Sequence, residues 1–291
     1  MAAKIGRHAA QLACEIAPGR VTAARGSQAG VESTSARTIS SGAVTPALTG
    51  ENIVRKSELA TAMAEVLAAT GTTGKDVVLV IPDPVVRVVL LDFETLPEKK
   101  QDADGVIRFR LKKSLPFDIE KAMLSYDVKR TTSGVKVTAA VAIPEVVAQY
   151  EEILREQGLQ PGIVLPSTLA ALGAVDASQP TLLFKVDFQT TTVSIVDKDQ
   201  LLLFRTLEGG TSELTGERIA EDVYPSLVFL QDTYGLSVER VLVAGVPNVA
   251  QIAPVLEQQT GAKVHELVDS SISSTQVHRG ELAGVVGALL G

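Results

Sequence analysis

Short apolar runs closed by proline or glycine alternate with helical apolar periodicity along both halves of the chain, and that alternation most constrains its fold. Val77–Ile81 is a continuous apolar run ending at Pro82, the pattern of a buried strand. Upstream, Leu59, Met63 and Leu67 recur at helical spacing behind Ser57 as an N-cap, with Gly71 placed to stop the helix. Leu182–Asp187, Thr191–Val196 and Leu201–Leu207 read as consecutive strands, the last two joined by a turn at Asp197–Gln200. A helix over about 217–234, the strand Val241–Ala244 and helices near 249–259 and 280–290 complete that half. The pattern predicts an α/β protein of two lobes, 1–179 and 180–291, divided near Ser178–Pro180.

Within the first lobe, residues 82–143 read as a compact inserted module. Its pieces are a strand over Val85–Phe93, a charged helix over 98–115, and strands Leu124–Arg130 and Val135–Ile143 around a Ser133-Gly134 turn. Val106, Ile107 and Leu111 would form the inner face of the helix. Val146, Val147, Tyr150, Ile153 and Leu154 then mark an amphipathic helix ended at Gly158, with Pro161 beyond. Near the start, apolar residues turn at Pro18-Gly19 into Val21–Ala24 as a hairpin, and the Ser/Thr/Gly-rich stretch 26–50 reads as loop.

Composition narrows the function classes. Across 291 residues the chain is 45% hydrophobic and 21% charged, enough for a buried core. The net charge of -7 argues against a whole-chain grip on nucleic acid, which depends on Lys and Arg neutralising phosphates. Cys14 stands alone, so no internal disulfide forms and a reducing compartment is the natural setting. The opening stretch is broken by Gln11 and Glu15, unlike a signal peptide, and no window reaches the ~18–20 apolar residues of a membrane span. The expectation is a cytoplasmic protein for which any membrane association comes through a partner.

The segment Val78–Val128, with its Ile-Pro, apolar strand, Leu-Pro, basic amphipathic helix, Leu-Pro-Phe and closing Tyr-Asp-Val, resembles the module inserted into the first lobe of the PilM family. That family comprises actin-like proteins of type IV pilus assembly related to the division protein FtsA. The return segment Tyr150–Leu172, and Lys185-Val-Asp187 followed by Phe204–Gly210, resemble the same family in order along the chain. The cytoplasmic part of the type II secretion protein GspL is a looser relative. The resemblance implies a two-lobed actin-like (RNase H-like) α/β fold with an inserted β-α-β-β module and a reduced second lobe.

In such folds nucleotide lies between the lobes, cradled by two glycine-containing hairpin turns whose backbone amides approach phosphate. The resemblance places the matching residues at Glu15, at Asp187 with Thr190, Thr191 and Thr192, and at Gly209, Gly210 and Gly245. This sequence departs from the family there. Glu15-Ile16-Ala17 replaces Asp-x-Gly, Gln189 replaces a second glycine, and only about thirty residues separate Gly210 from Val241. A clamp lacking its helical cover stabilises phosphate charge poorly, because such catalysis needs a preorganised, water-excluded site. The expectation is therefore no catalytic residue, no metal and no required cofactor. The alternatives are an ATP- and magnesium-dependent enzyme, either a hydrolase or a small-molecule kinase, and an actin-like regulator that polymerises.

Other motifs carry less. Gly71–Lys75 lacks the first glycine and the magnesium-binding hydroxyl of a P-loop. Gly210–Leu214 lacks the last glycine of a nucleophile elbow. His8, His265 and His278 have no metal-ligand spacing with Cys14. Arg108, Arg110, Lys112 and Lys113 place positive charge on one helix, either a solvated face or a docking surface. The resemblance implies that the inserted module captures a short cytoplasmic segment of a PilN-like bitopic inner-membrane protein. The contact candidates are Val86, Arg87, Val88 and Leu90 on the strand, with Ile107, Phe109 and Leu111 on the helix.

Overall fold

The computed structural model describes residues 11–27, 29–71, 74–132, 134–272 and 278–291. His8, Ser133 and the opening stretch before Gln11 lie outside them. The first lobe begins with strands β1 (Leu12–Ala17), β2 (Arg20–Ser27) and β3 (Gly30–Thr38), then helix α1 (Lys56–Thr70) and strand β4 (Asp76–Ile81). The module follows as β5 (Arg87–Phe93), α2 (Lys100–Leu111), β6 (Met123–Thr131) and β7 (Gly134–Ala142). The chain returns through α3 (Pro144–Arg155), β8 (Gln160–Pro166) and α4 (Ser167–Ala171). The second lobe holds β9 (Thr181–Val186), β10 (Thr190–Asp197), β11 (Gln200–Glu208), α5 (Gly216–Tyr234), β12 (Arg240–Ala244), α6 (Val249–Thr260), β13 (Lys263–Glu266) and α7 (Ala283–Leu290).

The two lobes repeat one topology. Their sheets run β3-β2-β1-β4-β8 and β11-β10-β9-β12-β13, each an antiparallel meander of three strands continued by two parallel ones. Helices supply the crossovers that parallel strands need. In the first lobe α1 and α3 cover one sheet face with Leu59, Met63, Val66, Ile153 and Leu154. Each such side chain stabilises the lobe by about 1.5–3 kcal/mol. Tyr150, also wholly buried there, satisfies its hydroxyl by donating to Asn52 Oδ1 at 3.0 Å. The opposite sheet faces share a core between the lobes, in which Ala13, Val78 and Val80 of the first lobe meet Leu183, Leu242, Val285 and Val286 of the second. Helix α7 therefore packs back onto β1 and β2, and Gly287 lets it press against α4, because a Cβ there would lie 2.1 Å from the Ala170 carbonyl oxygen.

Several expectations are corrected. The stretch 26–50 contains a third strand, β3, whose Ser/Thr-rich sequence hid it; it is an edge strand, mostly half-exposed, and buries only Ser35 and Ala36 fully. Helix α1 starts from Arg55 with no side-chain cap, so Ser57 lies inside it, while Gly71 does end it in the left-handed region. Asp83–Val85 forms a 3-10 turn, so β5 starts at Arg87. Strands β8 and β13 were not foreseen, and Val106 is exposed at 38% where an inner-face residue was expected.

Candidate functional site

The cleft between the lobes is floored by the two hairpins. In the first, β1 turns into β2 through Pro18-Gly19, and Gly19 supplies the positive φ of 83° that the turn requires. In the second, β9 turns into β10 through Phe188 and Gln189, closed by the Asp187 N–H donating to the Thr190 carbonyl at 2.8 Å. The tips approach one another: a Cβ on Gly19 would lie 4.0 Å from the Phe188 ring. A cleft of about 590 Å³ opens beside them, lined by Arg20, Thr38, Ile39, Asp187, Gly245 and His278 among others.

Below the tips lies a buried charge cluster. Glu15 of β1, Asp83 of the 3-10 turn and Lys185 of β9 are each no more than 2% exposed, and Arg20 only 8%. Lys185 bonds and pairs with Asp187. Arg20 reaches across from the first lobe, 3.6 Å from Asp187 Oδ1 and 3.6 Å from Glu281 Oε1. It also donates to the Glu281 carbonyl at 3.4 Å. Asp83 accepts from the Thr168 N–H at 2.8 Å, from the Thr168 hydroxyl, and from the Thr192 hydroxyl of the second lobe at 3.0 Å. Ser167 donates to Glu15 at 2.5 Å. β8 stops at Pro166 and α4 opens there, so the Thr168 amide, without an intrahelical acceptor, is free to bond Asp83 while the Ser167 hydroxyl reaches Glu15.

The electrostatics follow from burial and pairing. Burial alone would lower the Lys185 pKa, but Asp187, Asp83 and Glu15 hold its ammonium above the ordinary value. Burial likewise pushes Asp187 up, yet Lys185 and Arg20 outweigh it and keep that carboxyl below the usual range. For Glu15 and Asp83 desolvation wins, and both carboxyls sit above the usual range despite the nearby cations. Among the described buried atoms, Glu15 Oε2, Arg20 Nε and Asp187 Oδ1 accept or donate no hydrogen bond.

The structure brings the nucleotide-cleft candidates together but engages most of them internally. The Thr191 hydroxyl donates to the Gly209 carbonyl at 2.8 Å, Thr192 serves Asp83, and Thr190 closes the turn with its carbonyl. A Cβ on Gly210 would fall 2.2 Å from the Phe188 carbonyl oxygen, and one on Gly245 only 1.7 Å from that of Val186. These glycines let the chain approach itself. The Gly245 N–H is also used, donating to Gly280 at 3.0 Å, as are those of Gly209, to Gln189 at 3.0 Å, and Thr211, to Asp187 at 3.2 Å. Sequence reasoning missed Arg20, Asp83, Ser167, Thr168, Lys185 and Glu281. One signal was available: Lys185 interrupts the run Thr181–Val186, every residue of which is buried, and a buried lysine demands a partner.

The module has two unlike faces. Val89, Leu91 and Phe93 of β5 join Val135, Val137, Ala139 and Val141 of β7 against α2. Val88 and Leu90 point the other way, and β5 lies against β11 of the second lobe. On that polar face Lys129 donates to the Lys198 carbonyl at 2.7 Å, and Lys136 sits 5.3 Å over the Tyr234 ring while pairing with Asp92 at 2.6 Å. Ile107 and Leu111 are wholly buried in the module core, so neither has surface to offer a partner; Val86 packs on the first-lobe core. Arg87 is exposed and Phe109 is 80% exposed. Arg108 is held by Asp104 at 2.7 Å and by the carbonyl of Ile119 at 2.5 Å, whereas Arg110, Lys112 and Lys113 are exposed to solvent. The sheet order β5-β7-β6 leaves β6 as an edge. Beside it runs a groove of about 590 Å³ lined by Leu96, Pro97, Leu124, Tyr126, Val128 and Arg130 among others.

No protein-family model and no curated protein matches the sequence. Solved structures do match in fold. A chain of the PilM–PilN type IV pilus biogenesis complex superposes at a TM-score of 0.79 and 19% identity, covering 98% of both chains. The cytoplasmic domain of EpsL, an inner membrane component of the type II secretion system of Vibrio cholerae, superposes at 0.54 with 11% identity, covering 96% of this chain and 92% of that one. The ethanolamine utilization protein EutJ from Carboxydothermus hydrogenoformans gives 0.54 with 10% identity, covering 96% and 89%. At such identities the agreement establishes the fold, which is the two-lobed actin-like one.

Proposed function

From this actin-like fold, we propose that the chain is a scaffold of a type IV pilus or related type II secretion assembly, holding a short cytoplasmic segment of a PilN-like bitopic membrane protein on its inserted module. The observation that carries the reading is the whole-length agreement with the chain of the PilM–PilN complex, module included. Among the described residues no helix is long and apolar enough to cross a membrane, which is consistent with attachment through such a partner. The chain acts in the cytoplasm at the inner membrane in this reading, without nucleic acid and without turnover.

The captured segment runs along β6. An edge strand presents unpaired N–H and C=O groups that an extended peptide can extend, while side-chain pockets set specificity. Leu124, Tyr126 and Val128 alternate toward the groove, which Leu96 and Pro97 also line. The earlier strand candidates on β5 are less suited, because Val88 and Leu90 face the second lobe. A pull-down with the full chain tests this. Wild type should retain the cytoplasmic segment of an inner-membrane pilus or secretion protein, and Tyr126→Asp should lose it while melting as wild type does. Equal retention by Tyr126→Asp and by Leu124→Asp would remove the groove from the reading; no retention by wild type would remove the function.

The same reading treats the inter-lobe cleft as a degenerate nucleotide site. Support comes from the internal engagement of Thr191, Thr192, Gly210 and Gly245.

A further inference from the structure

We infer that the two lobes are fastened shut by a buried lock of the chain's own side chains, in which Arg20 and Lys185 supply the positive charge between the hairpins and closure needs no ligand. Four contacts cross the junction or serve those that do. Arg20 bridges from β2 to Asp187 and Glu281, each at 3.6 Å. Thr192 bridges from β10 to Asp83 at 3.0 Å. Phe188 lies over the Gly19 turn. Lys185 pairs with Asp187 within the second lobe while its charge acts on Glu15 and Asp83 of the first.

The residues present do not fit a magnesium-bound triphosphate in the position the fold family uses. Such a ligand brings net negative phosphate and a divalent cation that carboxylates hold through oxygen ligands. Here Asp187 is committed to Lys185 and Arg20, and Asp83 accepts three hydrogen bonds. The Glu15 carboxylate is pressed against α7, since a Cβ on Gly284 would lie 2.9 Å from its oxygen. Glu15 Oε2 and Asp187 Oδ1 do lack hydrogen bonds, but the latter faces the Arg20 guanidinium. A cation entering there would have to displace two fixed ones. An actin-like clamp that closes on nucleotide is a two-state element; this lock biases it to one state without effector. The inference holds whether or not the module binds the partner proposed above.

The full chain tests it by pulsed electron resonance between spin labels on Glu51→Cys in the first lobe and Asp232→Cys in the second, both exposed. The native Cys14 is buried, and burial raises its thiol pKa far above the ordinary value, so it should escape labelling. The unsubstituted lock should give one narrow inter-label distance that Mg-ATP leaves unchanged. Adding Arg20→Met should produce a second, longer population. If Arg20→Met does not fold, the near-isosteric Thr192→Val carries the same comparison and should broaden the distance. A native distribution that is already broad, or that contracts with Mg-ATP, overturns the lock. So does a foldable variant that keeps the single narrow distance.

Discussion

The hydroxyl of Thr192, on the middle strand of the second lobe's meander, stands 3.0 Å from the carboxylate of Asp83, in the 3-10 turn that follows β4 of the first. Both groups are essentially inaccessible to water, and Asp83 also takes two bonds from Thr168. These hydrogen bonds offset part of the cost of burying the Asp83 carboxylate. The bond therefore couples the lobes energetically as well as spatially. Thr192→Val and Asp83→Asn should be non-additive in urea unfolding, with an interaction energy within the ~0.5–3 kcal/mol range of contacting residues. Additive losses would mean the two groups do not communicate.

Lys185→Met removes one ammonium from among three carboxylates. Breaking a buried pair from one side costs about 3–5 kcal/mol because the remaining charge is uncompensated. The double variant Lys185→Met with Asp187→Asn should recover part of that loss. Equilibrium unfolding of the two variants side by side decides it; a double variant weaker than the single one contradicts the pairing.

Asp187 also makes stability depend on pH in a definite direction. Its folded pKa lies below the ordinary value, so on acidification the unfolded chain takes up this proton first. The stabilisation is complete above ~3.9, the unfolded value, and is lost as pH falls through the lower folded value. Asp187→Asn should accordingly reduce the urea midpoint most at neutral pH, and the gap to wild type should narrow on the acid side. A gap that widens with acid would reverse the assignment.

Glycine 245 combines a φ of 77° with a virtual Cβ only 1.7 Å from the Val186 carbonyl oxygen. Gly245→Ala should belong to the rare substitutions costing more than ~4–5 kcal/mol. Gly42 has the same φ of 77° but open space around it, so Gly42→Ala should cost only the left-handed strain of about 1–2 kcal/mol. Thermal melts of both variants give the comparison.

A degenerate cleft should leave the melting temperature of the native chain unmoved by Mg-ATP, whereas a ligand bound only to the folded state adds RT ln(1 + [L]/Kd) to its stability. A dose-dependent rise in melting temperature would restore the nucleotide-binding alternative. The rise would also identify the cleft beside Arg20 and Asp187 as its place if Asp187→Asn abolished it.

Local chemistry alone determined much of this molecule. The first hairpin turning at Pro18-Gly19, α1 with its Gly71 stop, the β-α-β-β module, α3 and the meander of the second lobe were all legible. Apolar periodicity and turn residues report directly on which side of a segment is buried. Strand β3 escaped because an edge strand need not be apolar, and β13 because Lys263 and His265 are exposed within it. Periodicity could place Ile107 and Leu111 on one helical face but could not say whether core or partner met that face. The packing of α2 on β7 decided it. Lys185 in its apolar run hinted that a partner must exist, but the assembly of the ion cluster was beyond local reading: Glu15, Arg20, Asp83, Thr168, Lys185 and Glu281 come from segments spread over the whole chain. Charge interactions in a dry interior depend on separations of a few ångströms, and only the closure of one lobe on the other sets those separations.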